Sequence, residues 1–422
     1  MKKRVLIRGP ALSRSGYGEH VRFLLRSLRP HEHMYDLYLI NVQWGATGNI
    51  TTETEERRWI ENLAMKGAQY AQQGGQFDLS IQVTIPNEWE KIAPVNVGVT
   101  AGIETSKVAP EWLVRGNLMD KIITISEHSK RVYEETSYDA RDEQTGQTVE
   151  NYRCETPIEV VHYPVREYEP EEIADVELPL DFNYLTVAQW GPRKNLDNTI
   201  VWFLQEFQND EVGLVVKTNL AKDCLRDRFI CEAKLRAALA AFPNRKCKVY
   251  LLHGDLSAEQ MTWLYRHPKI KSLISLTHGE GFGLPIFEAS YNALPIVVPL
   301  WSGHVDFLSA PNKKGKMRPM VAKVAYSLQQ VPESAVWEGV IQKDSMWCDA
   351  HERDYKRQLR EVYKNHGRFA SNAKKLQEYV LKEFASDKQH EIFAEETLGC
   401  LGSLKTSEDW LAEIEDIIQE YE

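Results

Sequence analysis

The chain has 422 residues and a formal net charge of −10, with 43% hydrophobic and 27% charged residues. This length is too great for one ordinary hydrophobic core and indicates two domains of about 200 residues each. No apolar run approaches the roughly 18 to 20 residues of a membrane span, and the N-terminus turns polar too early for a signal peptide. The six cysteines are scattered without a C-x-x-C pair. We therefore expect a cytoplasmic protein with free thiols, and the acidic balance argues against a protein coated for nucleic acid.

The first half alternates buried-strand patterns with helical or polar segments. Strand patterns occur at residues 5–8, 35–42, 78–83, 95–101 and 121–126. A glycine-containing turn follows the first strand and leads into apolar residues at helical spacing. Such alternation predicts a parallel sheet with crossover helices, a Rossmann-like domain with functional residues at the carboxyl ends of its strands. One of these ends is followed by Glu104, and another holds Ser126, a predicted helix N-cap.

Cations are concentrated near the N-terminus. Residues 1–30 contain eight Lys or Arg and one Glu, and Arg22, Arg26 and Arg29 line up on the first predicted helix. A solvated face explains such a stripe, because the helix dipole favours cations near a helix C-terminus. The alternative is contact with an anionic partner, either a membrane surface or a nucleic-acid backbone.

Composition divides the rest of the chain. Residues 136–156 are polar and nearly free of aliphatic side chains, which predicts an exposed loop insertion. A last strand of the first domain is predicted at residues 158–162, followed by a linker rich in Pro and acidic residues. The predicted division is a first domain at 1–165, a linker at 166–182, a second domain at 183–385 and C-terminal helices at 386–422. The final hundred residues are expected to be mostly helical, and residues 408–422 have the pattern of an acidic amphipathic helix.

The second half repeats the strand–helix alternation. Strand patterns occur at residues 184–188, 214–217, 249–253, 272–277 and 295–298. Arg193 and Lys194 precede a predicted helix, so two cations and the positive end of a helix dipole converge on one loop. Lys217 ends its strand and is a further candidate for contact with a phosphate or sugar.

The most informative stretch is H-G-E-G-F-G-L-P-I-F-E-A-S at residues 278–290. It leads from a strand into a helix, with Pro285 as the first helical residue. The unpaired N–H groups and the positive dipole end of such a junction suit a phosphate or diphosphate, and Gly281 and Gly283 would let the backbone approach it closely. Glu280 and Glu288 flank this anion site and could accept hydrogen bonds from sugar hydroxyls.

The string E-G-F-G-L-P-x-x-E-A, followed by L-P-I-V-V and W-S-G, resembles the donor-site signature of retaining GT-B glycosyltransferases of family 4. The resemblance covers most of the chain and is strongest over residues 183–307. It implies an α/β protein with the GT-B fold, in which two Rossmann-like domains face each other across a cleft and a C-terminal helix crosses back onto the first domain. The implied activity is transfer of a hexose or pentose, with retention, from a UDP- or GDP-linked sugar held mainly by the second domain.

The resemblance also implies residue roles. Lys194 matches the family's K-N pair, Gln189 stands where the family has Arg, and we expect Arg193 to substitute for it. Arg193, Lys194 and Glu280 are thus the catalytic candidates. The donor-binding candidates are Gly16, Tyr17, Gly18, Lys217, Gly281, Phe282, Gly283, Leu284 and Glu288. The segment G-I-E-T-S-K-V-A-P-E-W resembles one found in a subset of the family, which places Glu104 near the cleft. Many members carry a histidine that contacts the donor sugar where this chain has Gly102, Ile103 and Glu104, so the resemblance does not extend to that contact.

Several alternatives stay open at this level. No D-x-D motif lies where a diphosphate-bound cation would need one, so we expect a metal-independent enzyme without a cofactor. The acceptor could be a polysaccharide, a lipid-linked sugar, a protein or a modified nucleic-acid base. The same fold also serves phosphorylases and sugar-nucleotide epimerases, and a non-catalytic module that binds a sugar nucleotide is a third possibility. Neither the retaining stereochemistry nor the oligomeric state follows from the residues themselves.

Overall fold

The computed structural model of the protein describes residues 2–141, 148–174 and 176–402. Its first half contains eight strands and four helices. The strands are β1 Lys3–Gly9, β2 Tyr35–Asn41, β3 Leu79–Val83, β4 Val95–Thr100, β5 Lys121–Thr124, β6 Tyr138–Arg141, β7 Thr148–Tyr152 and β8 Ile158–Val160. The helices are α1 Gly16–Leu28, α2 Glu55–Gln72, α3 Pro110–Gly116 and α4 Glu127–Glu135.

Six of these strands form a parallel sheet in the order β2-β1-β3-β4-β5-β8. Its central strands are apolar on both faces, because crossover helices cover each side. In β1, for example, Val5, Leu6 and Ile7 are all completely buried. The sheet is the Rossmann-like layer that the strand–helix alternation predicted.

The described residues of the second half form ten further strands and seven α-helices. The strands are β9 Asn183–Val187, β10 Gly213–Thr218, β11 Lys248–His253, β12 Ile270–Ile274, β13 Ile296–Pro299, β14 Ser309–Pro311, β15 Met317–Pro319, β16 Ala322–Val324, β17 Tyr326–Gln330 and β18 Met346–Ala350. The helices are α5 Leu196–Phe207, α6 Leu225–Ala240, α7 Ala258–Arg266, α8 Leu284–Tyr291, α9 Glu352–Lys364, α10 His366–Glu383 and α11 Ser386–Leu398.

A second parallel sheet runs in the order β11-β10-β9-β12-β13-β16. The chain moves outward from β9 to β10 and β11, then returns to the other side of β9 with β12. The carboxyl ends of β9 and β12 therefore form a topological switch point, which is where ligands bind in open α/β sheets. The loop at residues 188–195 follows β9 and the turn at residues 275–283 follows β12, so both predicted phosphate-binding segments lie at this point.

The helix α11 returns to the first domain and packs on α1. Phe393 lies with its ring centroid 4.7 Å from that of Phe23, and the His390 Nδ1 is 2.8 Å from the Ser27 hydroxyl. At the far end of α11, Lys121 donates to Glu396 at 2.8 Å. This is the crossing that the resemblance implies, made by α11. The acidic helix predicted at residues 408–422 lies outside the described residues.

The sequence predictions of local structure missed two antiparallel strand pairs. Residues 136–156 are not simply a loop, because β6 and β7 pair as an antiparallel hairpin within them. Residues 323–350, within the stretch predicted to be mostly helical, contain the end of β16 and the antiparallel pair β17 and β18. The strands β6, β7 and β17 are short and mostly exposed, so they lack the apolar alternation that would have revealed them. No helix among the described residues is long and apolar enough to cross a membrane.

The segment between β17 and β18 contacts the first domain. Gly339 presents its carbonyl to the side-chain amide of Asn87 at 3.0 Å and to the indole N–H of Trp112 at 2.9 Å. Nearby, the Ser106 N–H donates to the Met346 carbonyl at 2.9 Å. The two domains thus meet through this segment on one side and through α11 on the other.

Candidate active site

Arg193 and Lys194 lie in a short helical turn, Pro192–Lys194, at the carboxyl end of β9. Asn195 ends this turn in the left-handed conformation at φ 53° and is the N-cap of α5. The Lys194 Nζ lies 2.5 Å from Oε1 of Glu280, and the Arg193 Nη1 lies 3.2 Å from its Oε2. The three catalytic candidates therefore meet, although 86 residues separate Lys194 from Glu280.

The first domain adds a fourth charge to this cluster. The Glu104 Oε1 lies 3.2 Å from the Arg193 Nη2, while Nη1 of the same guanidinium donates to the Gly279 carbonyl at 2.6 Å. Arg193 thus binds carboxylates from both domains at once. Two cations and two carboxylates balance in this cluster, so an entering anion must compete with Glu104 or Glu280 for the guanidinium.

Glu280 is ionised in this environment. Burial alone would raise the pKa of its carboxyl, but the charges of Lys194 and Arg193 outweigh that effect and lower the pKa to about 2. The Glu280 backbone N–H donates to the Ser302 hydroxyl at 2.8 Å, and this hydrogen bond holds the turn at residues 275–283 in place. The carboxylate is therefore charged and held in place at neutral pH.

The glycines of the turn have different roles from those expected. A Cβ on Gly281 would lie 2.0 Å from the Ala101 carbonyl oxygen, and one on Gly279 would lie 1.9 Å from the Glu104 oxygen. Both residues therefore let the turn touch the backbone of the first domain, so the close approach predicted for Gly281 is made to the protein. Gly283 has φ +95°, a conformation that glycine adopts at little cost, and is the N-cap of α8.

Phe282 was predicted to bind the donor, and its side chain is not available for that role. It is 2% exposed and packs among other aromatic rings. The neighbouring ring centroids lie 4.9 Å away for Phe307, 5.0 Å for Phe287 and 5.3 Å for Tyr163. Core packing explains this apolar side chain in the turn, and only the backbone N–H of Phe282 can face a ligand.

The start of α8 has four consecutive unpaired donors. The backbone N–H groups of residues 281–284 donate no hydrogen bond to any residue that the structure describes. Because Gly281, Phe282 and Gly283 are buried, these groups are shielded from water as well. Buried N–H groups are nearly always satisfied, so this position calls for an acceptor such as an anion.

A cavity of about 300 Å³ adjoins this helix start. It is lined from the second domain by Leu284, Glu288 and Tyr265, and from the other side by Glu19 and Arg166. The Tyr265 hydroxyl donates to Glu288 Oε2 at 2.7 Å, and Arg166 pairs with Glu19 at 2.6 Å. The cavity offers hydrogen-bonding groups at both walls with apolar surface between them, which suits a nucleoside.

The Glu288 carboxyl has a pKa close to neutral pH. Burial raises its pKa to about 7, in spite of the hydrogen bond from Tyr265. The folded protein thus keeps a proton that the unfolded chain releases above its ordinary pKa of 4.5. Stability should accordingly fall as the pH rises from about 4.5 to about 7, because the unfolded state binds fewer protons over that window.

We therefore expect Glu288→Gln to unfold at a higher temperature than the unmodified protein at pH 8, by roughly 2 to 6 °C, and at the same temperature at pH 4.5. Thermal unfolding at the two pH values measures this difference. Glu90→Gln, at an exposed position, is the control and should change neither value. An equal effect of Glu288→Gln at both pH values would contradict a raised pKa of Glu288 in the folded protein.

The chain matches known proteins by structure and not by sequence. No protein-family profile and no curated protein matches the chain by sequence. Solved structures do match. Sucrose-phosphate synthase from Thermosynechococcus elongatus gives a TM-score of 0.59 at 12% identity, covering 93% of this chain and 98% of that one. A glycosyltransferase from Rickettsia africae gives 0.57 at 13% identity, covering 94% and 98%. HepE from Anabaena, solved with UDP and glucose, gives 0.55 at 12% identity, covering 93% and 98%.

The chain has the GT-B fold. This confirms the predicted fold class of two Rossmann-like domains across a cleft. At these identities the likeness concerns the fold alone.

The N-terminal glycine loop of this GT-B chain lies at the start of α1. The Ser15 hydroxyl caps the helix by accepting from the Gly18 N–H at 3.0 Å. Neither Gly16 nor Gly18 has a positive φ, but a Cβ on Gly18 would lie 2.0 Å from the Ser13 oxygen. Tyr17 is buried with its hydroxyl 2.8 Å from that of Thr100. These three residues therefore shape the loop. The next residue, Glu19, lines the cavity beside Glu288.

The basic stripe of α1 is paired within the protein. Arg22 is 7% exposed and donates to two backbone carbonyls and Glu19. Arg26 binds Glu19 and Glu56, and Arg29 binds Glu55. The stripe is thus mostly a set of internal ion pairs, neither the solvated face nor the free anion-binding surface that the sequence left open.

A further ion pair joins the two GT-B domains at the loop beside Lys217. Lys217 donates to the Gly254 carbonyl at 2.6 Å, and burial lowers its pKa. The next residue, Asp255, pairs with Arg14 of the first domain at 3.1 Å. Gln189, in the position of the family Arg, donates to the Leu220 carbonyl and does not reach Glu280. Arg193 lies beside Glu280 instead, and its substitution for the family Arg stays a prediction.

Several residues at the site were not found from the sequence. Glu19 and Arg166 line the cavity as an ion pair, and Ser302 supports Glu280. Asp306 accepts from the Glu127 N–H at 2.8 Å and lies 3.0 Å from the His162 Nε2. A carboxylate in the first turn of a helix or a cation in a linker has ordinary local explanations, so no sequence signal marked these residues.

One cluster outside the cleft has side chains of metal-ligand type. Asp227, Cys231 and His253 bring their ligand atoms within 4.8 Å of one another. The Asp227 carboxylate already accepts from the N–H groups of residues 220–222 at 2.8 to 2.9 Å and from His253 at 2.8 Å. Its hydrogen bonds are those of a residue that fixes a loop.

Proposed function

We propose that the protein is a retaining glycosyltransferase that moves a sugar from a UDP- or GDP-linked donor to an acceptor hydroxyl. The observation that carries this proposal is the row of unpaired N–H groups at residues 281–284. They lie beside the ion-paired cations Arg193 and Lys194 on one side and the cavity with Glu288 on the other. This arrangement supports binding of a diphosphate between a sugar and a nucleoside.

The chemistry requires departure of a diphosphate from an anomeric carbon. Negative charge grows on the phosphate while positive charge grows on the sugar, so preorganised donors at the phosphate lower the barrier most. In the proposal, Lys194, Arg193 and the N–H groups of α8 stabilise the leaving group. Glu280 holds both cations and orients sugar hydroxyls, and Glu288 accepts from the ribose.

The nucleotide in the proposal draws support from HepE, whose structure contains UDP and glucose. The side of attack that gives retention rests on the resemblance of residues 280–289 to the family signature. The acceptor is one of the four classes named above, bound on the first-domain side.

A panel of nucleotide sugars tests the proposal. The protein is incubated with each donor, and nucleoside diphosphate release is followed without an acceptor. One UDP- or GDP-sugar should be hydrolysed slowly and should raise the unfolding temperature. Conversion of a nucleotide sugar to another nucleotide sugar would identify an epimerase, and stabilisation without any turnover, even with acceptors supplied, would identify a binding module.

Activity should survive removal of metal ions. The cations of the site are Arg193 and Lys194, which supply the charge that a bound metal would otherwise provide. We expect donor hydrolysis to be as fast in about 5 mM EDTA, an excess over trace metal, as without EDTA. Loss of turnover on chelation that Mn²⁺ or Mg²⁺ restores would refute metal independence.

A further inference from the structure

The first two turns of α6 expose large apolar side chains. Leu225 is 69% exposed, Phe229 63% and Ile230 42%. Leu225 and Phe229 are the two most exposed large apolar residues in the described part of the chain. Leu225 and Phe229 are four residues apart and lie on one helix face, and Ile230 follows Phe229 on the adjoining exposed face. We call these three residues the α6 patch. Contiguous exposed apolar surface usually marks a binding surface.

Cations outnumber acids around the α6 patch, where Asp223 is an exposed acid. Lys222 and Arg226 are exposed, and neither forms an ion pair with a residue that the structure describes. Arg228 and Arg236 also lie on this helix, where both bind Glu232. The patch is therefore apolar with a basic border, on a protein whose net charge is −10.

The fold holds this surface in place. Asp227 caps the loop before α6 through the N–H groups of residues 220–222, and Cys231 and Leu235 anchor the opposite helix face in the core. Exposure of Leu225 and Phe229 thus follows from a fixed helix orientation.

The α6 patch also borders the cleft. Helix α6 begins at the carboxyl edge of the second sheet, and a Cβ on Gly254 would lie 2.6 Å from the Asp223 carboxylate just before it. Gly254 is the residue whose carbonyl binds Lys217. A partner on the patch would therefore sit beside the mouth of the cleft.

We propose that the α6 patch docks the protein on an anionic lipid bilayer. Leucine, phenylalanine and isoleucine side chains insert at the level of the lipid headgroups, and the bordering Lys222 and Arg226 gain from the negative surface. A nucleic acid would use the cations but gives no environment for three aliphatic or aromatic side chains at once. The docking does not depend on the transferase chemistry, so each can fail without the other.

Two other occupants fit less well. A symmetric dimer through this patch would place like charges opposite each other. Residues 403–422 carry seven acids and match the charge, but the chain leaves the described residues after α11. The end of α11 lies against Lys121 at the amino end of β5, the edge of the first sheet away from the cleft. The end of α11 thus lies away from the cleft, whereas α6 borders it.

Sedimentation with vesicles tests the docking. The full chain should bind vesicles of equal parts phosphatidylglycerol and phosphatidylcholine, bind pure phosphatidylcholine more weakly, and lose binding as salt is raised. Leu225→Gln with Phe229→Gln should weaken binding at least about tenfold, because two inserted side chains are lost. Lys222→Gln with Arg226→Gln should weaken binding to anionic vesicles and reduce its salt dependence.

The matched control is Met65→Gln with Leu328→Thr, which removes exposed apolar side chains elsewhere, 58% and 45% exposed. It should bind vesicles like the unmodified chain, and all variants should unfold at similar temperatures. The proposal is overturned if the chain does not bind anionic vesicles, or if the α6 variants bind these vesicles as well as the control does. It is equally overturned if the α6 substitutions abolish only self-association or binding to duplex DNA.

Discussion

Lys194→Ala is expected to reduce donor hydrolysis and sugar transfer by about 10²- to 10³-fold, the usual cost of losing one donor to a developing negative charge. The Lys194 Nζ lies 2.5 Å from Glu280 and at the end of the turn that points to the start of α8. In the transition state its charge stabilises the leaving diphosphate, so turnover should fall more than donor binding. Steady-state kinetics with the donor found in the panel measures both.

The structural cost of this substitution should be small. Without Lys194, Glu280 keeps Arg193 as a partner at 3.2 Å, so its carboxylate does not become an unpaired buried charge. Lys66→Ala is the matched control because Lys66 also pairs with a carboxylate, Asp36, in the first domain far from the cleft. The control should keep full activity. If Lys194→Ala also kept full activity, the catalytic assignment would be wrong.

Gly281→Ala should separate the two domains and lower donor turnover by at least about 10²-fold, because misplacement of catalytic groups by an ångström has such a cost. The new Cβ would lie 2.0 Å from the Ala101 oxygen, and a backbone atom cannot move aside as a side chain can. The turn must withdraw from the first domain, taking Glu280 away from Glu104 and disturbing their shared contact with Arg193. Small-angle scattering should show a larger radius of gyration.

Gly191→Ala is the control for this prediction. Gly191 lies in the same catalytic loop as Arg193, has a negative φ, and has nothing within 4 Å of an added Cβ. It should leave both scattering and turnover unchanged. An unchanged scattering curve and turnover for Gly281→Ala would show that the contact with Ala101 does not hold the cleft together.

The parts of the site that the sequence predicted are those fixed by local rules. The strand, glycine turn and helix start at residues 272–290 follow from apolar spacing and from Pro285 at the first turn of α8. The meeting of Arg193 with Glu280 follows from topology, since both lie at the carboxyl ends of strands that become neighbours. Local pattern and sheet order together explain why Arg193, Lys194 and Glu280 meet, and their catalytic role stays a prediction.

The parts that the sequence did not predict depend on contacts between the domains. Nothing near Gly281 in the chain indicates that its missing side chain makes room for Ala101, and nothing near Phe282 indicates that its ring enters an aromatic core. The pairing of Arg22 with Glu19 could not be predicted either, because the sequence pattern of a basic stripe is the same for solvated and for ion-paired side chains. Such packing is set by residues far apart in sequence.

A crystal structure with the donor nucleotide bound is the most direct measurement of the central claim. We predict that its diphosphate accepts hydrogen bonds from the N–H groups at the start of α8 and from Lys194, with the ribose against Glu288 in the cavity beside Tyr265. A nucleotide bound elsewhere, or a start of α8 whose N–H groups remain unpaired when the nucleotide is present, would contradict the account.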